Sequence, residues 1–141
     1  MGRVMAVDPG SRRVGVAVSD PTGTIAQPLS VLPAEPAETL VERLAEVARQ
    51  QQAARLVVGL PRRMDGGEGP EARAARALAG ELRRATGLPV TLVDERLTSV
   101  AAERALLAGG ASRARRRQLS DQVAAALILQ SHLDAERREP A

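Results

Sequence analysis

Short apolar runs dominate the N-terminal third of the chain. Residues 3–7 (RVMAV) and 14–19 (VGVAVS) are rich in Val and Ala, and a turn of sequence PGS lies between them. A third run, residues 24–32, follows Pro21 and Gly23. Because short connections join neighbouring antiparallel strands, these three runs predict an antiparallel meander.

The hydrophobic period changes after the third run. Residues 36–52 carry apolar side chains at helical spacing, and residues 70–87 carry a second stripe that ends at a glycine. Such a glycine is typical of a helix C-terminus. Residues 55–61 (RLVVGLP) and 89–95 (PVTLVDE) are short apolar runs, the first ended by Gly59 and Pro61. Continuous runs of this kind predict buried parallel strands.

Two further helices are predicted near the C-terminus. Residues 98–107 form the first and are followed by two glycines, and residues 115–133 form the second. The complete order predicts an α/β fold with a mixed five-stranded sheet, in which three antiparallel strands precede two parallel ones and helices cover both faces. With 141 residues, the chain is expected to form one domain over residues 1–141.

The composition removes several kinds of chemistry. The chain has no Cys and only one His, His132, which excludes disulfides, thiolate zinc sites and a Cys nucleophile and makes a His-based catalytic system improbable. The side chains that remain available for chemistry are carboxylates, hydroxyls and arginines. No apolar run is long enough to span a bilayer, and the first residues lead directly into a strand pattern. We therefore expect a cytoplasmic protein with no membrane partner.

Carboxylates follow two of the predicted strands. Asp8 ends the first strand, and Asp94 and Glu95 end the last one. If the first strand is central, these carboxyl ends meet at one edge of the sheet, where α/β proteins usually bind ligands. Asp121 lies in the final predicted helix and could reach the same edge if that helix packs over it.

Hard carboxylate oxygens without His or Cys suit Mg²⁺ or Mn²⁺. Two such ions, about 4 Å apart, can activate a water and stabilise the leaving oxygen during attack on a phosphodiester. Each acidic residue also has an ordinary structural role open to it. Asp8 could form a turn, Glu95 could pair with Arg96, and Asp121 could favour a helix start.

The basic residues point to a polyanion. All 20 are Arg, and they occur in clusters although the net charge is only +3. The clusters are Arg12 and Arg13, Arg62 and Arg63, and Arg113, Arg115, Arg116 and Arg117. Arg pairs well with phosphate oxygens, whereas any one cluster alone could be a solvated surface. Because the chain has no Phe, Tyr or Trp, a nucleic acid would be held by its backbone and shape.

Four segments together resemble the YqgF/RuvX family. They are AVDPGSRRVGVAVSD, VVGLPRRMDG, VDERLTS and SDQVAAALILQSHLD, and the match extends over residues 4–134. The resemblance implies an RNase H-like fold and a function as a pre-16S rRNA nuclease or a Holliday junction resolvase. The sequence departs from the family pattern at Arg12, where Lys is usual, and at Ser99, where a second Thr is usual.

The resemblance also implies the site residues. Asp8, Glu95 and Asp121 would form the catalytic and metal-binding triad, with Asp94 as an alternative to Glu95, and would bind Mg²⁺ or Mn²⁺, with two ions expected. Together with the arginine clusters, it implies the following set of substrate-binding residues: Arg12, Arg13, Arg62, Arg63, Arg96, Arg116 and Arg117.

Three functions follow from this interpretation. The favoured one is a metal-dependent nuclease that matures the 5′ end of pre-16S rRNA, with pre-rRNA and pre-ribosomal particles as partners. The second is a resolvase of branched DNA, which would require a dimer; the sequence leaves a monomer and a homodimer both open. The third is a non-catalytic RNA-binding factor for ribosome assembly. An actin-like kinase is disfavoured because such enzymes need two related domains and this chain provides one.

Overall fold

The computed structural model describes residues 2–63, 65–95 and 113–138, except the side chains of residues 113–122 and 138. The strands are β1 (Arg3–Asp8), β2 (Arg13–Ser19), β3 (Ala26–Pro33), β4 (Ala53–Leu60) and β5 (Val90–Asp94). The helices are α1 (Ala37–Gln50), α2 (Pro70–Thr86) and α3 (Arg113–Arg138). The helix predicted over residues 98–107 lies outside the described residues. No described helix combines the length and the apolar character needed to cross a membrane.

The five strands form one sheet in the order β3-β2-β1-β4-β5. The first three strands are antiparallel neighbours, whereas β4 pairs parallel to β1 and β5 pairs parallel to β4. The predicted mixed sheet is therefore confirmed, with β1 at its centre. As a result, the carboxyl ends of β1, β4 and β5 lie at one edge of the sheet.

Helices cover both faces of the sheet. Side chains alternate between the two faces along a strand, and β1 is apolar on both. Met5 and Val7 belong to the core beneath α1 and α2. Val4 and Ala6 belong to a second core, to which α3 contributes Ile128, among other residues. Burial on both faces explains why this strand appears in the sequence as a continuous apolar run.

The direction of α3 follows from polar contacts in its C-terminal half. The Gln130 side chain accepts a hydrogen bond from Ala26 N (2.9 Å) and donates one to Thr24 O (3.0 Å). Arg55, near the start of β4, donates two hydrogen bonds to Glu136, at 2.5 and 2.6 Å. These contacts hold the C-terminal half of α3 at the amino ends of β1 and β4. The helix therefore runs antiparallel to β1, and its N-terminal half extends toward the carboxyl ends of the strands.

Several predicted boundaries differ from the structure, and polar contacts explain two of the differences. The final helix was expected to end at residue 133, but it continues to Arg138 through polar residues. Pairs such as Asp134 and Arg137 support this extension, which hydrophobic periodicity does not detect. The third strand begins at Ala26 and not at residue 24, because the Asp20 carboxylate accepts backbone hydrogen bonds that shape the preceding turn.

Candidate active site

Asp8 is the last residue of the central strand β1. On one side it pairs with Gly15 of β2. On the other side, β4 continues from the Val7–Val58 pair to Gly59, which therefore lies beside Asp8. Neither glycine has a side chain, so neither neighbouring strand places a side chain next to the Asp8 carboxylate at this edge of the sheet.

Asp8 projects toward the face that α3 covers. Alternation along β1 places its side chain on the same face as Ala6, and alternation along β4 places Gly59 on the same face as Val57. Ala6 and Val57 are both buried in the core that contains α3. Asp8 of β1 and Gly59 of β4 therefore lie side by side on the α3 face, at the carboxyl edge of the sheet.

Glu95 follows β5 directly and reaches across β4 to Asp8. Its carboxyl group is hydrogen-bonded to the Asp8 carboxylate. On the way it passes over Gly59, where a β-carbon would lie 2.7 Å from Glu95 Oε1 and 3.0 Å from its Cδ and Cγ. Real β-carbons essentially never approach another atom so closely. Glycine at position 59 is therefore what lets the two carboxylates meet.

In the sequence, Gly59 lies near the end of an apolar run, and its role beside Glu95 was not predicted. The structure places it inside β4, which continues to Leu60. A glycine within a strand often marks a site where another group approaches closely. That signal was present in the sequence, but the partner that approaches comes from a different strand.

The paired carboxyls change the acidity of Glu95. Burial, the hydrogen bond to Asp8 and the negative charges of Asp8 and Asp94 together raise the pKa of Glu95 from 4.5 to about 9, and burial contributes most. One carboxyl of the pair therefore holds a proton at neutral pH when no cation is bound. A divalent cation could replace this proton, and the oxygen-only donor set suits Mg²⁺ or Mn²⁺.

The side chain of Asp94, the alternative to Glu95, lies on the face of the sheet opposite to Asp8 and Glu95. It shares a face of β5 with Leu92, which packs into the core beneath α1 and α2. Its Oδ2 atom lies 3.8 Å from Arg62 Nη1. Of the two adjacent acids, the structure brings Glu95, and not Asp94, to Asp8.

The backbone of Asp121 lies in α3, but its side chain is outside the described residues. Position 121 stands four and seven residues before Ala125 and Ile128, which are buried against the sheet. Because four residues of helix rise about 6 Å, position 121 lies about 6 Å beyond Ala125 along the helix axis.

Over the described side chains, His, Asp and Glu form no group of three that could hold a metal ion. The site described consists of the Asp8–Glu95 pair.

Two of the predicted substrate-binding arginines lie in the hairpin after β1. Arg12 is exposed, and its carbonyl accepts a hydrogen bond from Ala34 N at 2.8 Å. Arg13 is half-buried at the start of β2. The hairpin is tight, because a β-carbon at Gly10 would lie 2.4 Å from Arg13 O. A glycine at this turn therefore keeps both arginines close to the end of β1.

Arg62 and Arg63 follow β4 but have different surroundings. The Arg63 side chain is 66% exposed, and its Nε lies 3.7 Å from Asp65 Oδ1. Arg62 instead pairs with two carboxylates, Glu68 at 3.3 Å and Asp94 at 3.8 Å. The partner Glu68 was not predicted, because nothing in the spacing of the two residues marks an ion pair across a loop.

The remaining predicted arginines cannot be placed in the site. Arg96 lies outside the described residues, and Arg116 and Arg117 belong to α3 with side chains outside the described set.

The single histidine lies at the other end of the molecule. His132 Nε2 lies 3.5 Å from Glu136 and 3.5 Å from Arg55, beside the amino end of β4.

Known proteins resemble this chain over nearly its whole length. A family model described as "RuvX: Holliday junction resolvase" matches residues 2–135. A protein of Pelotomaculum thermopropionicum is 51% identical over 137 residues, which cover 96% of this chain and 89% of the relative. A protein of Roseiflexus sp. is 46% identical over 136 residues, which cover 96% of each. Both relatives carry the name "Putative pre-16S rRNA nuclease".

Among solved structures, T. thermophilus RuvC in complex with a Holliday junction substrate is similar in fold. The TM-score is 0.60 at 21% identity, over 97% of this chain and 96% of that one. This similarity, together with the observed strand order, confirms the RNase H-like fold. The family model and the two relatives show that this chain belongs to the YqgF/RuvX family.

Proposed function

We propose that this protein is a metal-dependent nuclease that hydrolyses phosphodiester bonds in the maturation of the 5′ end of pre-16S rRNA. The observation that carries the proposal is the meeting of Asp8 and Glu95 at the carboxyl edge of an RNase H-like sheet. The names of the relatives support the substrate. Residues 1–141 would act as one nuclease domain.

Asp8, Glu95 and Asp121 would hold Mg²⁺ or Mn²⁺, with two ions expected. When bound, the ions would supply an activated water and stabilise the leaving oxygen. The direction of α3 supports the inclusion of Asp121, because the N-terminal half of this helix extends toward the edge where Asp8 lies. In the metal-free protein, the Glu95 carboxyl keeps the proton that it donates to Asp8.

Arginines on both sides of the acidic pair would hold the phosphate backbone. Arg12 and Arg13 belong to the hairpin after β1, and Arg63 belongs to the loop after β4. Both segments leave the sheet at the edge where Asp8 lies. Arg96, Arg116 and Arg117 stay candidates for the same role. Without Phe, Tyr or Trp the protein lacks the usual aromatic platforms for base stacking, so it would recognise phosphate positions and the shape of the nucleic acid.

Branched DNA is the second candidate substrate. The description of the family and the fold similarity to RuvC, solved with a Holliday junction, favour it. The same carboxylates could cut either polymer. Symmetric resolution of a junction would require two copies of the chain, whereas trimming of pre-rRNA would not.

A digestion experiment distinguishes these functions. Wild type and Asp8→Asn are incubated with 5′-extended pre-16S rRNA, an unrelated single-stranded RNA and a four-way DNA junction, with Mn²⁺, Mg²⁺ or EDTA. We expect wild type to cleave the precursor only with a metal, and Asp8→Asn to be inactive with an unchanged circular dichroism spectrum. Asp134→Asn is the matched control, because Asp134 lies in the C-terminal half of α3, far from Asp8.

Each other outcome contradicts a part of the proposal. Cleavage of the junction in preference to the precursor would assign the protein to branched DNA. Full activity of Asp8→Asn would refute the role of the acidic pair. Salt-sensitive binding of the precursor by wild type without any product would favour a non-catalytic assembly factor.

A further inference from the structure

We propose that Arg62 is a positioning residue that holds the end of β5, and so Glu95, in place, and that it does not bind substrate phosphate. This inference rests on the proposed function. Its starting point is a chain of ion pairs outside the Asp8–Glu95 pair. Arg62 lies 3.8 Å from Asp94 and 3.3 Å from Glu68, and Glu68 accepts hydrogen bonds of 2.7 and 2.6 Å from Arg76 of α2.

The chain of ion pairs connects three parts of the molecule. Arg62 stands two residues after Leu60, the residue of β4 that pairs with Asp94 of β5. Glu68 lies at the far side of the loop between β4 and α2, and Arg76 lies in α2 itself. The guanidinium of Arg62 therefore ties the ends of two neighbouring strands to the loop and the helix that follow them.

The charges within this chain balance. Arg62 and Arg76 contribute two positive charges, and Asp94 and Glu68 contribute two negative charges. Arg76 and Arg62 lower the pKa of Glu68 to about 2 by hydrogen bonding and by their charge, so Glu68 is ionised at neutral pH. A phosphate that approached Arg62 would also approach Glu68 and Asp94, whose negative charges already neutralise the Arg62 guanidinium. Arg62 is therefore a poor source of attraction for a polyanion.

The exposure of the two neighbouring arginines also indicates that Arg63, and not Arg62, is available to a phosphate. The Arg62 side chain is 33% exposed, against 66% for Arg63. Arg62 Nε is buried and has no hydrogen-bond partner among the described residues, so this donor cannot reach a ligand in solvent. Arg63 is the member of the pair that can meet a phosphate.

Holding Asp94 fixes Glu95, because the two residues are adjacent and their side chains lie in opposite directions, Asp94 toward Arg62 and Glu95 over Gly59. The ion pair with Arg62 keeps the Asp94 side chain on the face of the sheet that α1 and α2 cover. The Glu95 side chain is then directed to the face that α3 covers. There it passes over Gly59 and meets Asp8. If Asp94 were released, the short segment after β5 could rotate, and Glu95 would lose its position.

Steady-state cleavage by two matched variants tests the assignment. We expect Arg62→Gln to lower kcat about tenfold or more, with KM and the salt dependence of KM close to wild type. We expect Arg63→Gln to raise KM and to reduce the salt slope by about one, with a smaller change in kcat. Arg83→Gln is the control for loss of charge, because Arg83 is exposed in the last turn of α2, at the opposite edge of the sheet. An Arg62→Gln variant that behaves like Arg63→Gln would overturn the assignment.

A second measurement does not depend on cleavage. Amide hydrogen exchange over residues 90–95 is compared for wild type, Arg62→Gln, Asp94→Asn and the double variant. We expect faster exchange in each single variant and no further increase in the double variant, since both substitutions break the same tie. Unchanged exchange in Arg62→Gln would refute the positioning role.

The two experiments separate the two proposals. A wild-type protein that cleaves no nucleic acid, but whose exchange responds to Arg62→Gln, would refute the proposed function and leave the structural tie in place. A wild-type protein that cleaves, with neither kcat nor exchange affected by Arg62→Gln, would refute only the inference about Arg62.

Discussion

The Glu95 side chain occupies the space beside Gly59, where a β-carbon would lie 2.7 Å from Glu95 Oε1. This contact spans β4, the strand that separates Asp8 in β1 from Glu95 after β5. A side chain at position 59 would fill the path between the two acids. The meeting of the carboxylates therefore depends on a residue that has no chemistry of its own.

The first prediction is that Gly59→Ala reduces cleavage while the protein still folds. The atoms that the new methyl group would meet belong to the Glu95 side chain, which can rotate away. Gly59 also has no positive φ, so alanine is not strained there. Displacing a catalytic group by about 1 Å can cost roughly 100-fold in rate. The measurement is the single-turnover cleavage rate with Mn²⁺, together with the melting temperature.

Gly80→Ala is the matched control for this added methyl group. A β-carbon at Gly80, in the middle of α2, would meet only Arg84 Nη1 at 3.8 Å, which is an ordinary contact. We expect about 1 kcal/mol of added stability, because alanine favours a helix interior, and an unchanged cleavage rate. Wild-type activity in Gly59→Ala would show that Glu95 does not need to pass over position 59.

The second prediction concerns the pH dependence of stability without metal. The pKa of Glu95 is raised in the folded protein from 4.5 to about 9, so the folded state binds more protons than the unfolded state between these values. Stability should therefore fall as pH rises from about 4.5 toward about 9. Urea unfolding in EDTA at a series of pH values measures it. Glu95→Gln should flatten this dependence, and an equally steep decline in that variant would contradict the assignment to Glu95.

Metal binding should release the same proton. When a divalent cation occupies the site, Glu95 is expected to ionise, so the affinity for Mn²⁺ should increase with pH. Calorimetric titration in two buffers of different ionisation enthalpy gives the number of protons released. Release of about one proton per protein near pH 7.5 is expected for wild type, and less for Glu95→Gln. Equal release from both proteins would place the proton elsewhere.

The third prediction assigns Arg12 to sequence-independent binding. Arg12 is exposed in the hairpin that follows Asp8, and no carboxylate is paired with it among the described contacts. Arg12→Gln should weaken the binding of RNA and DNA of any sequence, and the salt slope should fall by about one. Fluorescence anisotropy at several salt concentrations measures both effects, with Arg83→Gln as the control. A sequence-dependent loss would contradict a phosphate contact.

The fourth prediction separates stability from activity at the opposite edge of the sheet. The Asp20 carboxylate accepts hydrogen bonds from the backbone N–H groups of Ile25 and Thr24, both at 2.8 Å, and from the Thr22 hydroxyl. These bonds hold the pKa of Asp20 well below its ordinary value of 3.8. Asp20→Ala should lower the melting temperature by several degrees at neutral pH and leave the cleavage rate unchanged.

The sign of the Asp20 effect can be checked with acid. A depressed pKa contributes stability above about 3.8, and this contribution is lost as pH falls further. The difference in melting temperature between wild type and Asp20→Ala should therefore shrink below about pH 4. A constant difference down to pH 2 would show that the carboxylate charge is not what stabilises the turn.

Much of the fold could be predicted from local patterns. The apolar run of β1 indicated a strand, the continuous apolar run of β4 indicated a buried parallel strand, and helical spacing identified α1 and α2. These signals lie within one element, so neighbouring residues carry them. The boundaries were less accurate where polar contacts set them, as at Asp20 before β3 and at Asp134 within α3.

The candidate site was only partly predictable. The composition excluded Cys chemistry and disfavoured His chemistry, which left the carboxylates. A central first strand would bring Asp8 and the acids at the end of the last strand to one edge. Residue type and spacing alone did not distinguish Asp94 from Glu95, nor Arg62 from Arg63, because each pair consists of adjacent residues of the same type of charge. Only the family resemblance favoured Glu95 over Asp94.

The sequence by itself therefore determined the elements, their order and the kind of chemistry available, since composition and periodicity are local properties. Only the tertiary structure shows where each member of an adjacent pair lies and what it contacts. Side chains alternate between the faces of a strand, and the use of each face depends on what packs against it. Glu95 meets Asp8 across Gly59 on the α3 face, whereas Asp94 meets Arg62 on the other, and contacts between distant segments make that difference.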